Sequence, residues 1–144
     1  MNMIETDVLK ALQAAGIAAV AASAIPTMPI KAIGLTFDTT KKAPDGKYVE
    51  FVNIVNNRTG DYWDDSRVYQ GTFRIILHWP IDEQGAYPPM TYLDQLASFF
   101  PKKTRLVSGQ ASVEVYENPV ASGQVVNGSE LLYPVGIMYR CFRP

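Results

Sequence analysis

The sequence is poor in the side chains that most enzymes use for chemistry. It holds one histidine, His78, and one cysteine, Cys141. A tetrahedral Cys/His zinc site built from a single chain is excluded by counting. No intrachain disulfide can form, and a lone cysteine in an apolar run near the C-terminus fits a reducing compartment. The glycines are scattered. Neither GxGxxG nor the lysine-bearing phosphate loop occurs, and GxSxG is absent as well. No cofactor is expected. Charge of one sign is also lacking, because 13 Lys and Arg face 14 Asp and Glu. No overall field gathers nucleic acid or an anionic membrane. No run approaches the ~18 apolar residues of a membrane span. The stretch ALQAAGIAAVAASA has the look of an export signal, but Glu5 and Asp7 precede it where positive charge is wanted. No membrane partner is expected.

What is present is ordinary globular material, 47% apolar and 19% charged over 144 residues. The length predicts one domain, residues 1–144, able to bury roughly 68–70% of its unfolded surface without a staple. Asn2 and Glu5 make a capping-box-like start, and Ile4, Val8, Leu12 and Ala15 follow at helical spacing. A helix is predicted over Met3–Ala15, with Gly16 as its stop. APDG (Ala43–Gly46) has tight-turn chemistry, and Lys47–Val55 alternates as a strand. Val68–Trp79 is the longest predicted strand. Tyr69, Phe73, Ile75, Leu77 and Trp79 form its core face, and Gln70, Thr72, Arg74 and His78 its polar face. Pro89–Phe100 reads as an amphipathic helix stopped by Pro101. Two short strands follow, then a Gly/Asn-rich loop (Pro119–Ser129) and a last strand, Leu131–Phe142. Strands cluster around an intervening helix rather than alternating with helices. The expected fold is α+β, a single mixed and mostly antiparallel sheet with helices packed on one face.

His78 continues the polar side of its strand, so it is expected to face solvent or a neighbour. A general base needs a carboxylate or nucleophile held beside it, and the local sequence offers none at recognisable spacing. Asp61, Asp64 and Asp65 lie in one loop, Asn56–Arg67; Asp82 and Glu83 lie in another at the far end of the long strand. Strand rise puts the two roughly 36 Å apart, so only a subunit boundary unites them. DYWDD lacks the spacing of a calcium loop. Lys102, Lys103 and Arg105 cluster just past a predicted helix end, where cations suit the helix dipole. Tyr62 and Trp63 are poor fillers for a polar loop and good interface anchors. These eight residues are the candidate contact residues. The competing readings are a metal-dependent hydrolase using the loop aspartates and a monomeric small-ligand binder.

The order of motifs resembles a known family. PDGKYVEFVNIV, then SRVYQGTFRIILHWPIDEQG, then YLDQLASFFPKKTRL, then VEVYENP and YPVGIMYRCF are similar to the tail-terminator and tail-completion proteins of long-tailed bacteriophages. The likeness runs from Pro44 to Phe142. It rests on Arg67-x-Tyr69-x-Gly71, on Trp79-Pro80, on Phe100-Pro101, and on a tyrosine-rich last strand with Pro134 and Arg140. The resemblance implies a non-enzymatic virion subunit at the tail–neck junction. Its partners would be itself in a ring, typically hexameric, the tail-tube protein, and a head-completion or neck protein. DNA would pass through the lumen without sequence-specific contact. Another head–tail joining or tube-like subunit is the nearest alternative. The long acidic Asn56–Arg67 loop and the Pro119–Ser129 loop depart from a short-looped pattern, so the resemblance assigns no contact residues.

Overall fold

Two 13-residue strands dominate the chain, and the rest is arranged around them. The computed structural model describes residues 4–38, 45–55, 68–83, 85–109, 111–121 and 123–142. The elements in chain order are α1 (Ile4–Ala21), β1 (Ile30–Lys31), β2 (Tyr48–Val55), β3 (Val68–Pro80), α2 (Tyr87–Ala97), β4 (Arg105–Ser108), β5 (Ala111–Val115), β6 (Val120–Ala121), β7 (Val125–Asn127) and β8 (Glu130–Phe142). They form an α+β fold with one sheet, ordered β1-β2-β3-β8-β5-β4. β1 runs parallel to β2, and every other pair is antiparallel. β3 and β8 pair along their whole length, from Val68 opposite Phe142 to Pro80 opposite Glu130. The far edge of β8 is shared by three short strands. β7 covers its first residues, β6 its middle and β5 its end.

The alternation decides the layering. Phe73, Ile75, Leu77 and Trp79 from β3, and Leu131, Tyr133, Val135, Ile137, Tyr139 and Cys141 from β8, all point to one face and are buried. Both helices cover that face. α1 contributes Val8, Ala11, Leu12, Ala19 and Val20, and α2 contributes Tyr92, Leu93 and Leu96, with Phe100 just beyond it. The helices are also tied to each other. The Ser23 hydroxyl lies 2.9 Å from the Tyr92 hydroxyl, and Gln95 Oε1 accepts the Ala24 N–H. Ser23 sits in the turn after α1, so these bonds hold α1's end against α2.

Several local expectations are corrected. The first helix does not stop at Gly16 but runs to Ala21. Gly16 is there for room, not for breaking: a Cβ built on it would sit 2.6 Å from Phe51 Cζ. Phe51 is itself buried and tilted against Phe73, so its ring has little freedom to retreat. Gly16→Ala should gain helix propensity and still destabilise the fold by about 1–2 kcal/mol through overpacking. Chemical denaturation measures this, and a more stable variant would contradict the packing account. The second helix begins two residues earlier than expected, with prolines in its first turn, and ends at Ala97. The stretch before Gly46 contains a short parallel strand, β1, and the Pro119–Ser129 loop contains β6 and β7. Short exposed strands leave no alternation to read. The turn at Asp45–Gly46 has the expected form, with φ of 77° at Gly46 and the Lys47 N–H donating to Asp45 Oδ1 at 3.3 Å.

Candidate functional site: the open face of the sheet

The helices take one face of the sheet and leave the other to even-numbered residues of β3 and β8. Strand register arranges that open face in rows. Tyr48, His78, Leu132 and Val125 form one row; Glu50, Ile76 and Pro134 the next. Val52, Arg74, Gly136 and Val120 make the middle row. Ile54, Thr72 and Met138 follow, and then Gln70, Arg140, Glu114 and Arg105. An apolar strip thus lies between two ionic clusters.

The first cluster answers what His78 does. The residue is 7% exposed, so of the two expectations, solvent or a neighbour, it meets the second. Its Nε2 lies 2.9 Å from Glu50 Oε1, its Nδ1 lies 3.3 Å from Glu130 Oε1, and Lys31 Nζ lies 3.6 Å from Glu50 Oε2. The ring stacks on Tyr48 at 4.0 Å, and Phe37 tilts against Tyr48 at 5.1 Å. Burial, then the charges of Glu130 and Glu50, push the Tyr48 hydroxyl above its ordinary pKa. Glu50 is 28 residues from His78 and Glu130 is 52 away, so no local spacing could reveal them. Both ring nitrogens are occupied by carboxylates on neighbouring strands. The histidine therefore stitches β2, β3 and β8 together at one end of the sheet. Among the described residues, no nucleophilic side chain is hydrogen-bonded to it.

At the other end, Arg140 reaches Glu114 with Nε at 3.1 Å and Nη2 at 2.8 Å. Arg105 approaches the second oxygen of Glu114 at 3.3 Å. Arg105 is thereby engaged within its own chain, though its side chain stays 63% exposed. Lys102 and Lys103 are exposed in the turn that connects α2 to β4. Lys103 has φ of 78°, a conformation glycine adopts more readily, while its N–H donates to the Val115 carbonyl. The structure thus brings Lys102, Lys103 and Arg105 to the β4 edge. Asp61, Tyr62, Trp63, Asp64 and Asp65 lie outside the described residues. Among the described residues, no group of three His, Cys, Asp or Glu side chains gathers as a metal site.

Beyond this face lies an apolar cleft of about 410 Å³ between α2 and the β6–β7 arm, lined by Tyr87, Met90, Leu93, Tyr133 and Pro134. The Tyr133 hydroxyl donates to Gln124 Oε1 at 2.6 Å across its floor. Tyr87 is 80% exposed at its rim.

The chain has structural relatives. One solved structure, whose protein carries no functional name, superposes with a TM-score of 0.72 at 19% identity, over 96% of this chain and 92% of its own. A second, from the virion of a native gene transfer agent particle, superposes with a TM-score of 0.55 at 10% identity over the full length of both chains. At these identities the likeness is one of fold. No curated protein matches the sequence. The family model described as phage tail terminator protein matches residues 7–139, which takes in both helices and nearly the whole sheet. The chain is therefore a member of the phage tail terminator family, a family of virion structural proteins.

Proposed function

We propose that this chain forms a hexameric ring that ends polymerisation of the tail tube and joins the tail to the neck. The match over residues 7–139 carries the reading. Three features of the fold support it. One whole face of the sheet is left uncovered by the helices. The sheet ends in two unlike edges: β2 beyond β1 on one side, with Ile54 and Val55 exposed, and β4 on the other, with Val107 exposed. A closed ring joins two different patches of each subunit, and unlike edges suit that requirement. Finally, lysines stand at the β4 edge while the acidic stretch of residues 61–65 lies in the connection from β2 to β3. The chain works by contact and carries no catalytic step. Its neighbours are copies of itself, the tube protein and a neck protein, with DNA crossing the lumen.

The functional test is tail length. Particles assembled without this chain should carry tubes with no fixed stopping point and no attached heads. Tubes of normal length joined to heads would sink the reading. The charge pairing is tested separately. Asp64→Lys with Asp65→Lys should weaken self-association by at least about tenfold, and the part of the loss that comes from slower encounter should shrink at high salt. Sedimentation velocity reads the association. Unchanged assembly would count against an acidic-to-basic contact between neighbours.

A further inference from the structure

Arg74 stands out on the open face because it lacks what every other charged group of that face has. The three glutamates of these strands are already committed. Glu50 serves His78 and Lys31, Glu130 serves His78, and Glu114 serves Arg140 and Arg105. Arg74 lies four residues from both His78 and Gln70 along β3, about 13 Å by strand rise, and Glu50, one row away at about 7 Å, is already engaged by His78 and Lys31. Among the described residues, its Nε is buried and has no hydrogen-bond partner. Such a donor costs a protein on the order of 1–3 kcal/mol. Its flanks are apolar or empty. Val52 stands on one side and Gly136 on the other, with Ile76 and Met138 near by. At Gly136 a Cβ would press within 3.1 Å of Thr72 Cγ2, so that position has no room for a side chain that could partner Arg74.

A positioned guanidinium in an apolar setting, with its hydrogen-bonding left incomplete, is how an arginine that anchors an interface looks before its partner arrives. We propose that the open face receives the acidic stretch of a second copy of this chain, with a carboxylate from Asp61, Asp64 or Asp65 forked onto Arg74. The inference rests on the ring reading and names the contact within it. Charge complementarity selects the occupant: TGDYWDDS supplies three carboxylates around a tyrosine and a tryptophan, matching a lone cation on an apolar strip. Lys102, Lys103 and Arg105 form the rim, where charges steer encounter, and Arg74 is the buried centre, where a lost partner shows in dissociation.

The test uses two variants and one cross-link. Arg74→Met removes the unsatisfied donor and fills its place with apolar volume. It should raise the Tm of the subunit by about 2–5 °C and weaken self-association at least about 30-fold. Arg74→Lys should recover part of the association but lose the forked geometry. A photoreactive side chain at Thr72, in a mixture of chains with and without a nitrogen isotope label, should cross-link to the tryptic peptide of residues 59–67 from the other label. A wild-type oligomer that Arg74→Met leaves intact, or cross-links confined to one chain or to a different peptide, overturns this proposal alone. A wild-type chain that stays monomeric even with tail tubes overturns the ring reading and this contact with it.

Discussion

Gly71→Val should cost the fold about 3–5 kcal/mol, the largest loss expected from any single change in the sheet. Gly71 sits in mid-β3, directly between Val55 of β2 and Tyr139 of β8, and faces the core. Tyr139 is fully buried, and its hydroxyl crosses over β3 to donate to Asn53 Oδ1 on β2 at 2.7 Å. A Cβ on residue 71 would run into the Ile54 carbonyl oxygen and stand 2.8 Å from the Tyr139 hydroxyl. The first obstacle is backbone and cannot rotate away. The second is a buried hydrogen bond whose loss leaves Asn53 without that donor. Gly71→Ala should follow the same course with a smaller loss. Adding Tyr139→Leu should relieve only the hydroxyl clash. Urea denaturation measures each step, and a Gly71→Val variant within about 1 kcal/mol of wild type would refute this account of the core.

The second large effect is alkaline. Burial raises the pKa of Tyr48, Tyr92, Tyr133 and Cys141. Glutamate charges add to the rise at Tyr48. A hydrogen bond from Ser23 offsets part of it at Tyr92, and a backbone hydrogen bond at Ser112 offsets part at Cys141. In each case the folded chain favours the protonated form. The stabilisation is therefore fully present below the unfolded-state values, 9.0 for the thiol and 10.0 for the phenols. It is lost as pH rises past them, when the unfolded chain sheds protons that the folded chain still holds. Thermal unfolding should be flat with pH up to about 8.5 and should fall with increasing steepness from about 9. Tyrosinate absorbance should lag the free amino acid and then jump as the chain unfolds. A Tm that holds or rises across that range would contradict the burial of these groups.

The alternating strands were legible because alternation is a property of single residues in order. β3 and β8 each place a large apolar side chain at every second position, and both faces could be assigned before any pairing was known. Gly16 reads as a break in α1 when Phe51, 35 positions on, is out of view. β1, β6 and β7 carried no signal, because a two- or three-residue strand gains its identity from the partner it lies beside. The site shows the same divide. Lys102, Lys103 and Arg105 adjoin in sequence and adjoin in space. The carboxylates around His78 come from strands on either side of it, and the isolation of Arg74 is visible only once every neighbouring glutamate is seen to be engaged elsewhere. What a strand pairs with is a long-range fact, and the polar side chains of this protein take their meaning from it.

On the proposed function, these strands and loops hold copies of the chain to one another at the end of a tube. Electron cryomicroscopy of the intact particle at the tail–neck junction tests it most directly. Six copies should appear as one closed layer above the last tube ring, each placing residues 61–65 against the open sheet face of the next. Copies repeating along the tube, or a particle without this chain at the junction, would contradict it.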